Sequence, residues 1–155
     1  TGTVRRLEQA DLPTLVASAE VMPASNYSDR PTDVQWTFGP LMVHAGMANY
    51  FMCSKIAGTA MPHHADVSPT SSKTALVSNL RASFEYCLGV LAKANDRELS
   101  QSIHLFGPHE VPKAAAMVGL VTDQADHYAT ASGYLRLNGI LPPTARRHRR
   151  SMRKK

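Results

Sequence analysis

The sequence predicts an all-α domain, a four-helix bundle with long crossover connections. Three observations predict it. Apolar residues recur at intervals of three and four wherever a period is clear, strand-type alternation is nearly absent, and the composition suits one compact domain. The chain has 155 residues, 43% hydrophobic and 19% charged, which excludes a disordered polypeptide and a multidomain enzyme.

A first helix is expected over Asp11 to Val21, with Leu12, Leu15, Val16 and Ala19 on one face and Pro23 beyond its end. Met22 to Thr37 carries Pro23, Asn26, Asp29, Pro31 and Asp33 and reads as an extended connection. The second helix runs from about Phe38 to Ile56, with Thr37 as a cap, Pro40 in the first turn and Gly58 as its stop. Leu41, His44, Ala48 and Phe51 step along it by three and four, which places His44 in its apolar seam. After a loop containing Pro62, His63, His64 and Pro69, Ser71 or Ser72 caps a third helix reaching about Ala94, with Leu76, Leu80, Phe84, Cys87, Leu88 and Leu91 inward. An irregular segment with Gly107 and Pro108 follows. Pro112 suits the first turn of a fourth helix ending near Asn138-Gly139, whose seam is Met117, Leu120, Gln124, His127, Ala131 and Tyr134. Leu120, Asp123, His127 and Thr130 form the adjoining row.

The net charge of +5 is concentrated at one end. Seven cations and no anion lie from Arg146 onward, whereas residues 1–145 hold ten cations against twelve anions. The expected organisation is therefore one helical domain over 1–145 and a basic, solvated tail over 146–155. Without an aromatic to stack on a base, the tail suits weak polyanion contact rather than a nucleic-acid interface. No apolar run approaches the roughly 18 to 20 residues that cross a bilayer, and no cationic start leads into an apolar stretch. Two cysteines, Cys53 and Cys87, are too few for a disulfide framework and read as buried packing residues, so the reducing cytoplasm is the expected compartment. The sequence has neither a glycine-rich phosphate loop nor a G-x-S-x-G elbow, so phosphate-loop nucleotide binding and serine-hydrolase chemistry gain no support.

Three ionisable side chains fall where a bundle wants hydrocarbon: His44, Asp123 and His127. Buried without partners they would cost several kcal/mol, on the order of the desolvation of unpaired polar groups. Residues four apart share a helix face, so Asp123 and His127 can converge on one ion, and a third ligand from a neighbouring helix would complete two imidazoles and a carboxylate. Such a set leaves coordination positions open. The same residues also fit a satisfied histidine and a local charge pair. His63, His64, His104, His109 and His148 read as surface residues, with His64 or His109 at most lining a site mouth.

From about Leu12 to Pro143 the chain resembles the DinB/YfiT-like family of small metalloenzymes, which is unrelated to the DNA polymerase sharing the DinB name. The resemblance is carried by AEVMPASNYSDRPTDVQWTFGPLMVHAGMANYFMCSKIAG around His44, KTALVSNLRASFEYC on the third helix and DHYATASGYLRLNGILPP from Asp126. It implies a four-helix bundle, often a homodimer, with a metal held by His44 and by the pair Asp123 and His127. The family commonly has histidine where this chain has Asp123. The mycothiol-dependent maleylpyruvate isomerase branch looks similar in placing a carboxylate, glutamate, there; Asp123 is one methylene shorter.

The implied activity is that of a metal-dependent thiol transferase or isomerase acting on a small electrophile, with zinc or nickel the foremost ions and a low-molecular-weight thiol as co-substrate. Tyr128 and Arg136 are candidates for orienting a substrate anion, although packing and surface roles suit them as well. Two other classes fit the same residues: a metal-dependent hydrolase of a small amide or ester, and a non-catalytic, stress-induced dimer with a degenerate site.

Overall fold

The structure, a computed structural model, describes residues 1–146, apart from the side chains of residues 11–13. Four long helices carry it: α1 (Gly2–Val21), α2 (Phe38–Ala57), α3 (Lys73–Lys93) and α4 (Lys113–Leu137). A two-stranded antiparallel ladder, β1 (Ser102–His104) and β2 (Glu110–Pro112), lies between α3 and α4, with Ile103 opposite Val111. The helical bundle expected from the sequence is therefore present. The hairpin is an addition to it, because three-residue strands are too short to show an alternating pattern.

α1 and α2 each pack mainly against α3 and α4. The α1–α2 and α3–α4 pairs thus lie across the bundle from each other, which is why their connections must be long. Each helix boundary has a local cause. Ser72 accepts a hydrogen bond from the Ala75 amide at the start of α3, as its sequence position predicts. Thr37 occupies the cap position of α2 without a side-chain cap bond. Gly58 ends α2 at φ 68°, a left-handed conformation that glycine adopts without a steric penalty. Pro112 stands one residue before α4, at the cap rather than in the first turn.

Two expectations about the helices are corrected. α1 begins at Gly2, not Asp11, because its first half is polar and lacks the apolar period that marks its second half; it is anchored instead by Val4 against the α2/α4 end of the core and by buried Glu8. The buried face of α2 is Met42, Ala45, Gly46, Asn49, Cys53 and Ile56, so the row through His44, Ala48 and Phe51 forms its margin. α2 is apolar around most of its circumference, which lets several phases fit equally well. The seam of α4 is buried as expected, at all of Met117, Leu120, Gln124, His127, Ala131 and Tyr134.

The core has two halves. Leu15, Phe38, Met42, Leu80, Phe84 and Leu135 pack at one end, and Met52, Ile56, Leu91, Met117 and Leu120 at the other. Cys53 and Cys87 are buried in the second half, as expected of packing residues, but they are joined in a disulfide across α2 and α3 with a Cα–Cα distance of 5.4 Å. The correction has a simple origin: each faces the same α2–α3 seam, and two cysteines opposed there meet bonding requirements that spacing in the sequence does not reveal. The basic tail beyond Arg146 lies outside the described residues. No helix among the described residues is long and apolar enough to cross a membrane.

Gly46 is where α2 and α3 approach most tightly among the helical glycines, since a Cβ there would lie 2.9 Å from the Asn79 amide nitrogen and 3.8 Å from the Leu80 Cα. Gly89 on α3 faces open space. Gly46→Val is expected to destabilise the protein by about 1–3 kcal/mol through overpacking. Gly89→Ala should stabilise it by roughly 0.4–1 kcal/mol through helix propensity. Urea unfolding of the two variants checks both signs.

Candidate metal-ligand site

α2 and α4 are packed neighbours, and the three residues singled out in the sequence meet on their shared edge. Asp123 and His127, one turn apart on α4, bring Oδ2 and Nε2 to 3.2 Å. His44 comes from the second turn of α2, and its ring centroid lies 5.0 Å from that of His127 in an edge-to-face arrangement. His127 is 7% exposed and forms the floor. Asp123 is half-buried, and His44 is exposed at the rim rather than buried in a seam, a correction that follows from the phase of α2.

Three electrostatic features follow. Asp123 Oδ2 and His127 Nε2 are buried and have no hydrogen-bond partner among the described residues, although they stand within ion-pair distance of each other. The His44 imidazole is held below its ordinary value of 6.5, first by partial burial and then by His127, with the Asp123 carboxylate opposing the shift. A neutral His44 keeps a lone pair available near neutral pH.

Behind this site runs a buried polar chain linking three helices. Gln124 Nε2 donates to Asn49 Oδ1 at 2.8 Å, Asn49 Nδ2 to Ser83 Oγ at 3.1 Å, and Ser83 Oγ to the Leu80 carbonyl at 2.7 Å. Gln124 adjoins Asp123 and lies one turn before His127, so α4 is tied to α2 immediately beneath the site. In front stands Trp36, the chain's single tryptophan, with its ring 4.9 Å from His44 at 66°. Sequence reasoning missed Trp36, Asn49 and Ser83. Their available signals were one tryptophan directly before the α2 cap, and an amide on α2 and a hydroxyl on α3 among apolar residues.

The other candidates lie elsewhere. The Tyr128 hydroxyl is 2.6 Å from Thr144 Oγ1 and accepts from the Thr144 amide. Arg136 is exposed in the last turn of α4. His64 stacks on Tyr50, His104 Nε2 lies 3.3 Å from Glu110 across the hairpin, and His63 and His109 are exposed. His148 is outside the described residues. An open groove of about 440 Å³ between the last turns of α2 and α3 contains none of the histidines, and its Lys113 is already paired with Glu98 at 2.8 Å.

The donor types of His44, Asp123 and His127 suit zinc, nickel, iron or manganese. Two donors on one such ion, each about 2.0–2.2 Å from it, stand roughly 3.0–3.4 Å apart, the separation of the orphaned Asp123–His127 pair. Among the described residues, no group of three or more His, Cys, Asp or Glu is arranged to hold an ion as it stands. The His44 ring packs edge-to-face on that of His127. The residues suit a metal in donor type, and the α4 pair has the separation of an ordinary carboxylate–imidazole ion pair as well.

The sequence profile of the DinB superfamily matches residues 7–131. Three solved structures have the same fold. A DinB-like protein of Bacillus subtilis is 17% identical with TM-score 0.72, covering 88% of this chain and 92% of its own. A DinB-like protein of Bacillus cereus is 15% identical with TM-score 0.70, covering 86% and 89%. A conserved protein of Enterococcus faecalis is 15% identical with TM-score 0.72, covering 88% and 95%. No curated protein matches. At these identities the likeness to the solved structures is one of fold.

The Trp36–His44 contact makes protonation visible. An imidazolium quenches an adjacent indole, so the emission of the metal-free protein should fall as pH drops through a midpoint below 6.5. The His44→Ala variant should lack that step. Because the folded protein disfavours charged His44, the unfolded chain binds more protons in the window between the lowered value and 6.5, and stability should rise with pH across it.

Proposed function

The chain belongs to the DinB superfamily, and we propose that it is a metal-dependent enzyme of the thiol-transferase or isomerase kind, using a low-molecular-weight thiol on a small electrophile. One observation carries the reading: two Lewis-basic atoms, Asp123 Oδ2 and His127 Nε2, are buried 3.2 Å apart with no hydrogen-bond partner. The two atoms contact each other only at ion-pair distance, without hydrogen-bond alignment, and a shared divalent cation would satisfy both at once.

In this reading His127, on the buried floor, is the fixed ligand. Asp123 adds the negative charge that a pair of neutral imidazoles lacks. His44, at the exposed rim, completes the set and leaves the solvent side open to small molecules. A divalent ion held there would supply the Lewis acidity that favours the thiolate form of a thiol near neutral pH. Gln124 and Asn49 keep α2 and α4 in register, so that the histidines stay on one edge.

A competing reading is a site that has lost its ion. It is supported by the shorter reach of Asp123 and by the edge-to-face packing of His44 on His127, which leaves no ready-made group of three. Elemental analysis after dialysis against zinc or nickel separates the two. Close to one ion per chain is expected, lost in His127→Ala and weakened about 10–100-fold in Asp123→Ala, comparable to the loss of a supporting ligand. Absence of stoichiometric metal in the parent protein would instead support the degenerate site. Thiol dependence of turnover then distinguishes transfer from hydrolysis.

A further inference from the structure

The groove of about 440 Å³ at the ends of α2 and α3 lies apart from His44, Asp123 and His127, none of which lines it, and its volume is that of a small-molecule site. One helical row shapes its floor. Glu85, Gly89 and Lys93 follow one another at intervals of four on α3, so they stand in line along one exposed face and all three border the groove. Gly89 leaves a gap in the middle of that row, where an added Cβ would meet no atom within 4 Å. Glycine inside a helix is destabilising relative to alanine. Here neither a positive φ nor a close approach of another element calls for it.

The two ends of the row are opposite in charge. Neither the Glu85 carboxylate nor the Lys93 ammonium makes an ion pair or a hydrogen bond among the described residues. Lys113, the other lysine at the groove, is by contrast held by Glu98 at 2.8 Å and by Gln101 at 3.2 Å. Glu85 and Lys93 are thus the uncommitted charges of the groove among the described residues. Between them the wall is apolar at Val90, and the hydroxyls of Thr59 and Tyr86 add polar contacts that no described residue uses.

The spacing selects the size of what would fit. Eight residues of α-helix set Glu85 and Lys93 about 12 Å apart along the axis. An extended peptide advances about 3.3–3.6 Å per residue, so two or three residues span the gap with an ionic contact at each end. A peptide with free termini carries an ammonium at one end and a carboxylate at the other near neutral pH. We propose that this groove binds short unblocked peptides of two or three residues, with the α-ammonium at Glu85, the α-carboxylate at Lys93 and the chain crossing Gly89. No metal enters this site, so it stands or falls separately from the reading above.

The test titrates the tripeptide Ala-Leu-Ala, and its N-acetylated and C-amidated forms, into the isotope-labelled full chain while amide chemical shifts are followed by NMR. Saturable shifts centred on Gly89 and Val90 are expected, with a dissociation constant of about 1 mM, the weak affinity of contacts open to solvent. Acetylation and amidation should each weaken binding about two- to fivefold. Lys93→Gln should erase the effect of amidation but not of acetylation, and Glu85→Gln the reverse. Gly89→Leu fills the gap with a good helix former and should abolish binding. No saturation by about 20 mM peptide in the parent protein would overturn the proposal. So would equal binding of the blocked forms, exchanged effects of the two glutamine variants, or undiminished binding by Gly89→Leu. If circular dichroism shows that Gly89→Leu does not fold, the glutamine variants, both at exposed positions, decide alone.

Discussion

The hydrogen-bond chain from Gln124 through Asn49 to Ser83 fixes how three of the four helices stand relative to one another. Apolar packing alone tolerates sliding, because one methyl or leucyl contact resembles the next. A buried amide does not. Gln124 is fully buried, and withdrawing its partner would strand a polar group at about 1–3 kcal/mol. A single register of α4 against α2 therefore satisfies the chain. That register puts His44 level with His127, so the relation between the two imidazoles is inherited from amides beneath them.

Polarity is graded through the same region. The amide chain lies in the core, the orphaned Asp123–His127 atoms lie at its edge, His44 stands at the rim, and Trp36 faces solvent. Such a gradient places the groups least able to find water closest to the rigid interior. The orphaned condition of the Asp123–His127 atoms recurs elsewhere in the bundle, at Gln124 Oε1, both side-chain amide atoms of Asn79 and Ser132 Oγ, which also lack a hydrogen-bond partner among the described residues.

Much of this was legible in the sequence, and the parts that were not share a cause. The α4 seam was readable because its polar residues are interleaved with strongly apolar ones, so a single phase fits Met117, Leu120, His127 and Tyr134. α3 was readable for the same reason, with Ser72 marking its start. α2 offered no contrast around its circumference, so His44 was assigned to its helix and its partners but to the wrong depth. The polar first half of α1 carried no period at all. The hairpin, the Cys53–Cys87 pair, and the contacts of Trp36 with His44 and of Asn49 with Gln124 depend on residues far apart in the chain. Such relations are set by tertiary packing, which a local pattern does not encode.

The bond between Cys53 and Cys87, 34 residues apart, turns the stretch between them into a covalent ring. An exposed run of that ring, residues 58–61, lies in the connection between α2 and α3. Hydrolysis of one peptide bond there opens the ring without dividing the molecule: the N-terminal fragment carrying His44 and the C-terminal fragment carrying Asp123 and His127 stay tethered through sulfur. Only a reductant that reaches the enclosed bridge would let the two fragments part.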